Sequence, residues 1–127
     1  MDAETITDAV SMMPQDFRRL GNMSMLGLLR ASGYLTCPEA ITEELLERAF
    51  VAQPERIDAW VLLSEDKRTS EGWYIRPPRA CYIGATWEVG YHPNGPRQTF
   101  PGAARACAFF VKREAEDLRS YIAKVKE

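Results

Sequence analysis

The sequence predicts an α+β fold: N-terminal helices, a three- to four-stranded antiparallel sheet, and a long C-terminal helix packed on the sheet. Three observations carry it. Trp87, Val89 and Tyr91 alternate with Glu88, Gly90 and His92, and a period of two with aromatic and β-branched residues on one side is a half-buried strand. Asn94-Gly95 follows, a pair that tolerates positive φ at both central turn positions and so signals a hairpin. From Ala103 the spacing becomes helical: Cys107, Phe110, Val111, Leu118, Ile122 and Val125 recur at three- and four-residue steps.

Taken in order, residues 1–14 hold few large apolar groups and read as a flexible arm or a short helix. Phe17, Leu20, Met25, Leu28 and Leu29 predict helix, broken near Gly21-Asn22. Asn22 is placed to cap the second piece, and Gly33 to end it in the left-handed conformation. Residues 34–40 form a loop pinned by Pro38. Ile41 to Val51 is the clearest early helix, with Thr42 as N-cap and Glu43 and Glu44 in the first turn, where negative charge is favoured. Ile41 and Leu46 occupy the two positions of a hydrophobic staple. Leu45, Leu46, Ala49 and Phe50 make its inward stripe, and Glu43, Glu44, Glu47 and Arg48 face out.

Asp58 to Ser64 reads as a short buried strand, or as helix continuing from Pro54 with Ile57, Val61 and Leu62 inward. The strand is preferred because Gly72–Arg76, beyond a polar loop, resembles its hairpin partner. Pro77-Pro78 breaks that strand, and Ala80–Gly84 is a third short strand or a connection into Trp87. Pro93 and Pro96 remove two backbone donors, which favours a loop wider than two residues. Phe100 rejoins the face of Trp87, Val89 and Tyr91, while Arg97 and Thr99 point to water. Pro101 suits a helix start with Gly102 as N-cap. Alternation places Tyr74 and Arg76 on the face opposite Trp73 and Ile75, as candidates for exposed contact.

The chain has 127 residues, 46% hydrophobic and 27% charged, which suits a single globular domain spanning 1–127. No apolar run approaches the ~20 residues needed to span a bilayer, so no membrane partner is expected. The acidic start lacks a basic segment followed by an apolar one, so no secretory signal is expected. Cys37, Cys81 and Cys107 are odd in number and far apart, which suits reduced thiols in the cytoplasm.

Charge is uneven: residues 1–69 hold seven Lys/Arg against 12 Asp/Glu, and residues 70–127 hold nine against six. The acidic first half suits a basic partner. The single histidine, His92, lies beside a turn with no nucleophile tied to it by a motif. One histidine and scattered cysteines give no metal-ligand spacing, and no Gly-rich phosphate loop is present, so neither metal nor cofactor is expected. Asp58, Glu65, Asp66 and Glu71 read as solvated loop charges, not as an acid–base pair. The aromatic group Trp60, Trp73, Tyr74, Trp87 and Tyr91 reads mainly as core.

The stretch carrying Trp87, Val89, Tyr91, Gly95, Phe100, Ala106, Cys107, Phe109 and Phe110 resembles the small bacterial immunity proteins of polymorphic, contact-dependent or secreted toxin systems. It departs from their pattern at Pro101-Gly102, where a Ser or Asp cap is expected. The resemblance implies a non-enzymatic cytoplasmic protein that binds a cognate toxin and occludes its active site. The contacts expected are Glu43, Glu44 and Glu47 on the acidic helix, Glu65 and Asp66 at the polar loop, and Tyr74 as an aromatic anchor. A second resemblance, through Gly95, Arg97, Phe100 and Ala106, is to the arm-type DNA-binding domain of phage integrases. It implies nucleic-acid contacts by Arg76, Arg79 and Arg97.

Overall fold

The computed structural model describes residues 2–66, 71–78 and 85–126. Among the described residues, six helices and a three-stranded antiparallel sheet pack around one cluster of buried side chains. The helices are α1 (Ala3–Ser11), α2 (Met13–Leu20), α3 (Met25–Ser32), α4 (Glu43–Ala52), α5 (Glu55–Asp66) and α6 (Ala103–Lys126). The strands are β1 (Gly72–Arg76), β2 (Trp87–His92) and β3 (Arg97–Phe100), in spatial order β1-β2-β3. Two short 3₁₀ turns, Tyr34–Thr36 and Pro38–Ala40, join α3 to α4.

Of the two readings of residues 1–14, the helix is the one formed. Asp2 caps α1 by accepting from the Thr5 N–H at 2.8 Å. Ile6, Val10 and Met13 are at most 2% exposed, so this segment is core, not an arm. Gly21 and Gly33 take φ of 71° and 91° and end α2 and α3, as their positions predict. The cap of α3 is Ser24, not Asn22: the Ser24 Oγ accepts from the Gly27 N–H at 3.0 Å. Thr42 caps α4 through Leu45 N–H at 3.2 Å, and the staple residues Ile41 and Leu46 are both fully buried.

Asp58–Ser64 is helix, which overturns the preferred strand reading. Pro54 ends α4 and α5 begins at Glu55. Ile57, Trp60 and Ser64 are buried at three- and four-residue steps, while Leu62 is 40% exposed. The Trp60 Nε1 donates to the Ser11 carbonyl at 2.9 Å, and its ring meets Phe110 edge-on at 5.9 Å. Ser64 bonds both ways to Ile75: its Oγ accepts from the Ile75 N–H at 3.0 Å and donates to the Ile75 carbonyl at 3.3 Å. This clamp sits on the outer edge of β1, where a further strand would otherwise pair. Ala80–Gly84, read as a further strand or a connection, lies outside the described residues, as does Cys81.

The register pairs Trp73 with Tyr91, Ile75 with Val89, and Trp87 with Phe100. Ile75, Val89 and Phe100 are at most 5% exposed on the inner face. There the Phe109 ring lies 5.2 Å from Phe100 and 6.2 Å from Trp73. Arg97 and Thr99 are exposed, as expected. The β2–β3 connection departs from the Asn-Gly hairpin. The His92-Pro93 peptide is cis, Gly95 N–H donates to the Tyr91 carbonyl at 2.8 Å, and neither Asn94 nor Gly95 has positive φ. What Gly95 supplies is closeness, since a Cβ there would run into Tyr91 Cβ. The Tyr91 N–H bonds to the Pro96 carbonyl, so by alternation Val89 and Gln98 bond to each other. The backbone groups of Arg97 and Thr99 then face the far side of β3. No described residue bonds to them there.

The first half of α6 is buried on more than one side. Ala106, Cys107, Ala108, Phe110, Val111 and Ala115 are at most 3% exposed, between the sheet and α4. Burial also pushes the Cys107 thiol well above its usual range, so it packs as an inert small hydrophobe. The stripe ends before its predicted limit: Val125 is 65% exposed because the last turn runs beyond the body.

Candidate functional site

Glu44 and Glu47 line a hollow of about 410 Å³ with Arg48, Val51 and Ala52. A second hollow, of about 210 Å³, lies between α4 and α1, with Glu4 and Asp8 from one helix and Leu45, Arg48 and Ala49 from the other. Arg48 lines both, so the two hollows adjoin at Arg48, with Leu45 and Ala49 on the side toward α1 and Glu44, Glu47 and Val51 on the other side. No described residue forms an ion pair with Glu4, Glu44 or Glu47. Asp8 is bonded to the Arg56 Nη1 at 2.6 Å, and Glu43 lies 3.8 Å from Arg113. Glu43 therefore turns toward α6 and contributes less free charge than its two neighbours.

Glu4 and Asp8 were not singled out from sequence. Their signal was present: Ile6, Val10 and Met13 recur at four and three residues, which puts Glu4 and Asp8, four apart, together on a different face. Glu65 does not join this face. Arg56, near the start of α5, touches α1, whereas Ser64 touches β1. Nine residues of helix separate Arg56 from Glu65, about 14 Å along the axis. Glu65 is exposed there, and the Asp66 side chain lies outside the described residues.

Tyr74 is on the predicted face but is not an exposed anchor. It is 9% exposed, because Arg76 lays its guanidinium 4.6 Å over the ring and Gly90 opposite leaves room for the ring to lie flat. Its hydroxyl donates to Glu88 Oε2 at 2.6 Å; burial first, then this bond, raises its pKa. A Cβ at residue 90 would meet the Tyr74 hydroxyl at 2.6 Å and Arg97 Cγ at 2.8 Å. Gly90→Ala is therefore expected to cost about 1–2 kcal/mol through overpacking. Urea unfolding checks this.

One polar cluster looks catalytic by composition and is structural by environment. Lys112 Nζ donates to the Tyr34 hydroxyl at 2.8 Å and to the Pro38 carbonyl at 2.7 Å, and Tyr34 donates to Glu116 Oε2. Arg119 donates to both oxygens of Glu116, through Nη2 to Oε1 at 2.8 Å and Nε to Oε2 at 3.1 Å. A tyrosine poised for proton transfer needs a lowered pKa and access to substrate. Tyr34 is fully buried, and burial, followed by the Glu116 bond, drives its pKa far up. Burial is also the main cause that lowers Lys112, while the Arg119 bond is the main cause that lowers Glu116. The cluster staples the loop after α3 to the middle of α6.

Among the described residues no group of three or more His, Cys, Asp or Glu side chains is placed to hold a metal ion. No described helix is long and apolar enough to cross a membrane. Arg76 and Arg97 share the outer face of the sheet, and Arg79 lies outside the described residues. Compared with family models, curated proteins and solved structures, the chain matches none.

Proposed function

We propose that this chain is a cytoplasmic immunity protein that acts by binding, not catalysis, neutralising a cognate bacterial toxin by covering its active cleft. The observation that carries the reading is the pair of adjoining hollows on α4, one of them shared with α1. They gather Glu4, Glu44 and Glu47, none ion-paired with a described residue, around the single cation Arg48, with Val51 66% exposed beside Glu44 and Glu47. A net acidic surface with exposed apolar groups steers a basic partner and then excludes water from the contact. The sequence pattern of Trp87 to Phe110 supports the more specific identification of that partner as a toxin.

The test is capture of partners from source lysate by wild type and by Glu44→Lys/Glu47→Lys, with nuclease treatment, followed by co-expression. The expected result is one basic protein held by wild type, weakened about tenfold or more by the double reversal. Its expression alone arrests growth, and this chain relieves the arrest. Glu65→Lys, at the far end of α5, leaves binding unchanged. Equal capture by the double variant would remove the acidic face from the reading, and unrelieved toxicity would remove the immunity role. The second reading is duplex DNA gripped by Arg76 and Arg97, which share one sheet face. It requires instead that the captured species be lost to nuclease and fall steeply with salt.

A further inference from the structure

We propose that the outer face of the sheet carries a small-anion site, independent of the acidic face, that takes a phosphate monoester. A cavity of about 320 Å³ opens there, and Arg76, Arg97, His92 and Asn94 are among the residues that line it, with Tyr74 and Gly95. Strand register explains why the groups converge. Tyr74, Gly90 and Arg97 sit side by side across the three strands, and Arg76, Glu88 and Thr99 form the next row. Because residue 90 has no side chain, the Tyr74 ring and Arg97 Cγ close in over it, and the cavity opens beside them toward the turn. The turn 93–96 makes the end wall.

The charge balance selects the ligand class. Two guanidiniums face one described carboxylate, Glu88. That carboxylate already accepts from the Tyr74 hydroxyl at 2.6 Å and lies 3.7 Å from Arg76, a distance too long for a tight bidentate pair. Arg97 makes no ion pair with a described residue. The Arg76 guanidinium lies 4.6 Å over the Tyr74 ring, a contact that uses its π face and not its N–H donors. A doubly charged phosphate with three acceptor oxygens uses both arginine forks; a monoanionic carboxylate uses one. The volume exceeds what a bare phosphate fills, so a small organic group attached to it is accommodated.

Titration with glycerol 3-phosphate, inorganic phosphate and acetate, followed by backbone amide shifts in ¹H–¹⁵N spectra, tests this. Saturable shifts at Gly90, Asn94 and Gly95 are expected with both phosphates and not with acetate at equal ionic strength. Arg76→Gln and Arg97→Gln each weaken binding about tenfold, the loss of one charge-assisted contact. Arg97→Lys, which keeps charge and loses the fork, weakens it less. Glu88→Gln keeps an acceptor for Tyr74 while removing the competing charge, and tightens binding several-fold. The same spectra report whether each variant is folded. Shifts that do not saturate, that map elsewhere, or that survive both Arg→Gln changes overturn the site. So does duplex DNA binding at this face with a steep salt slope while the monoester fails to bind.

Discussion

Trp60→Ala is expected to cost about 3–5 kcal/mol, a large share of the ~5–15 kcal/mol by which domains of this size are stable. Three losses combine. The largest fully buried side chain is removed, the edge-on contact with Phe110 disappears, and the Ser11 carbonyl loses its donor. The last matters beyond its own energy because it ties α5 to the end of α1. Trp60→Phe separates the contributions: it keeps an aromatic ring against Phe110 and loses the hydrogen bond, for about 1–2 kcal/mol including the smaller volume. Urea denaturation checks both. A Trp60→Ala cost below about 1 kcal/mol would show that α5 is not an anchor of the core.

The second large effect is alkaline destabilisation through Tyr34. Its folded-state pKa is raised above the ordinary value of 10.0, by burial first and then by the bond to Glu116. A raised pKa means that above pH 10 the unfolded chain releases a proton that the folded chain keeps. Stability is full below that pH and falls as pH rises, by up to about 1.4 kcal/mol per pH unit. Lys112 has the opposite sign, since burial lowers its pKa, and the smaller shift offsets part of the slope. The check is stability against pH from 8 to 11.5, with phenolate absorbance recorded alongside. In wild type the Tyr34 phenolate is expected to appear only with unfolding. Tyr34→Phe flattens the alkaline slope and costs about 2–3 kcal/mol at pH 7, because Lys112 and Glu116 each lose a buried partner. An unchanged slope in Tyr34→Phe would assign the alkaline transition to another group.

What local sequence decides was legible. Thr42, Gly33, the α4 staple, the alternation of β2 and the start of α6 are each settled by residues within a turn of one another. The misread elements share a cause. DAWVLLS is short and apolar, and only the longer span from Ile57 to Ser64 shows helical period, with Ser64 as its unexpected inward member. Tyr74 was placed on the correct face and given the wrong exposure. Its cover comes from Gly90 on the neighbouring strand and from the choice of Arg76 to stack, and neither follows from position along β1. The Tyr34 cluster joins residues 78 and 82 apart in sequence, beyond any local pattern. Of the acidic face, α4 was legible and α1 was not, because a helix with only three large apolar anchors reads as weakly as an arm.

The Ser64 clamp also bears on how the sheet can take a neighbour. On one side a hydroxyl from α5 already occupies both backbone groups of Ile75, while on the other the outward groups of Arg97 and Thr99 meet no described residue. At Ile75 a strand from outside would find both ladder groups already taken, so it could add along β1 only with a gap at that residue. A single serine in a helix thus makes the two borders of the sheet unequal as templates, the β1 side interrupted and the β3 side continuous over the described residues.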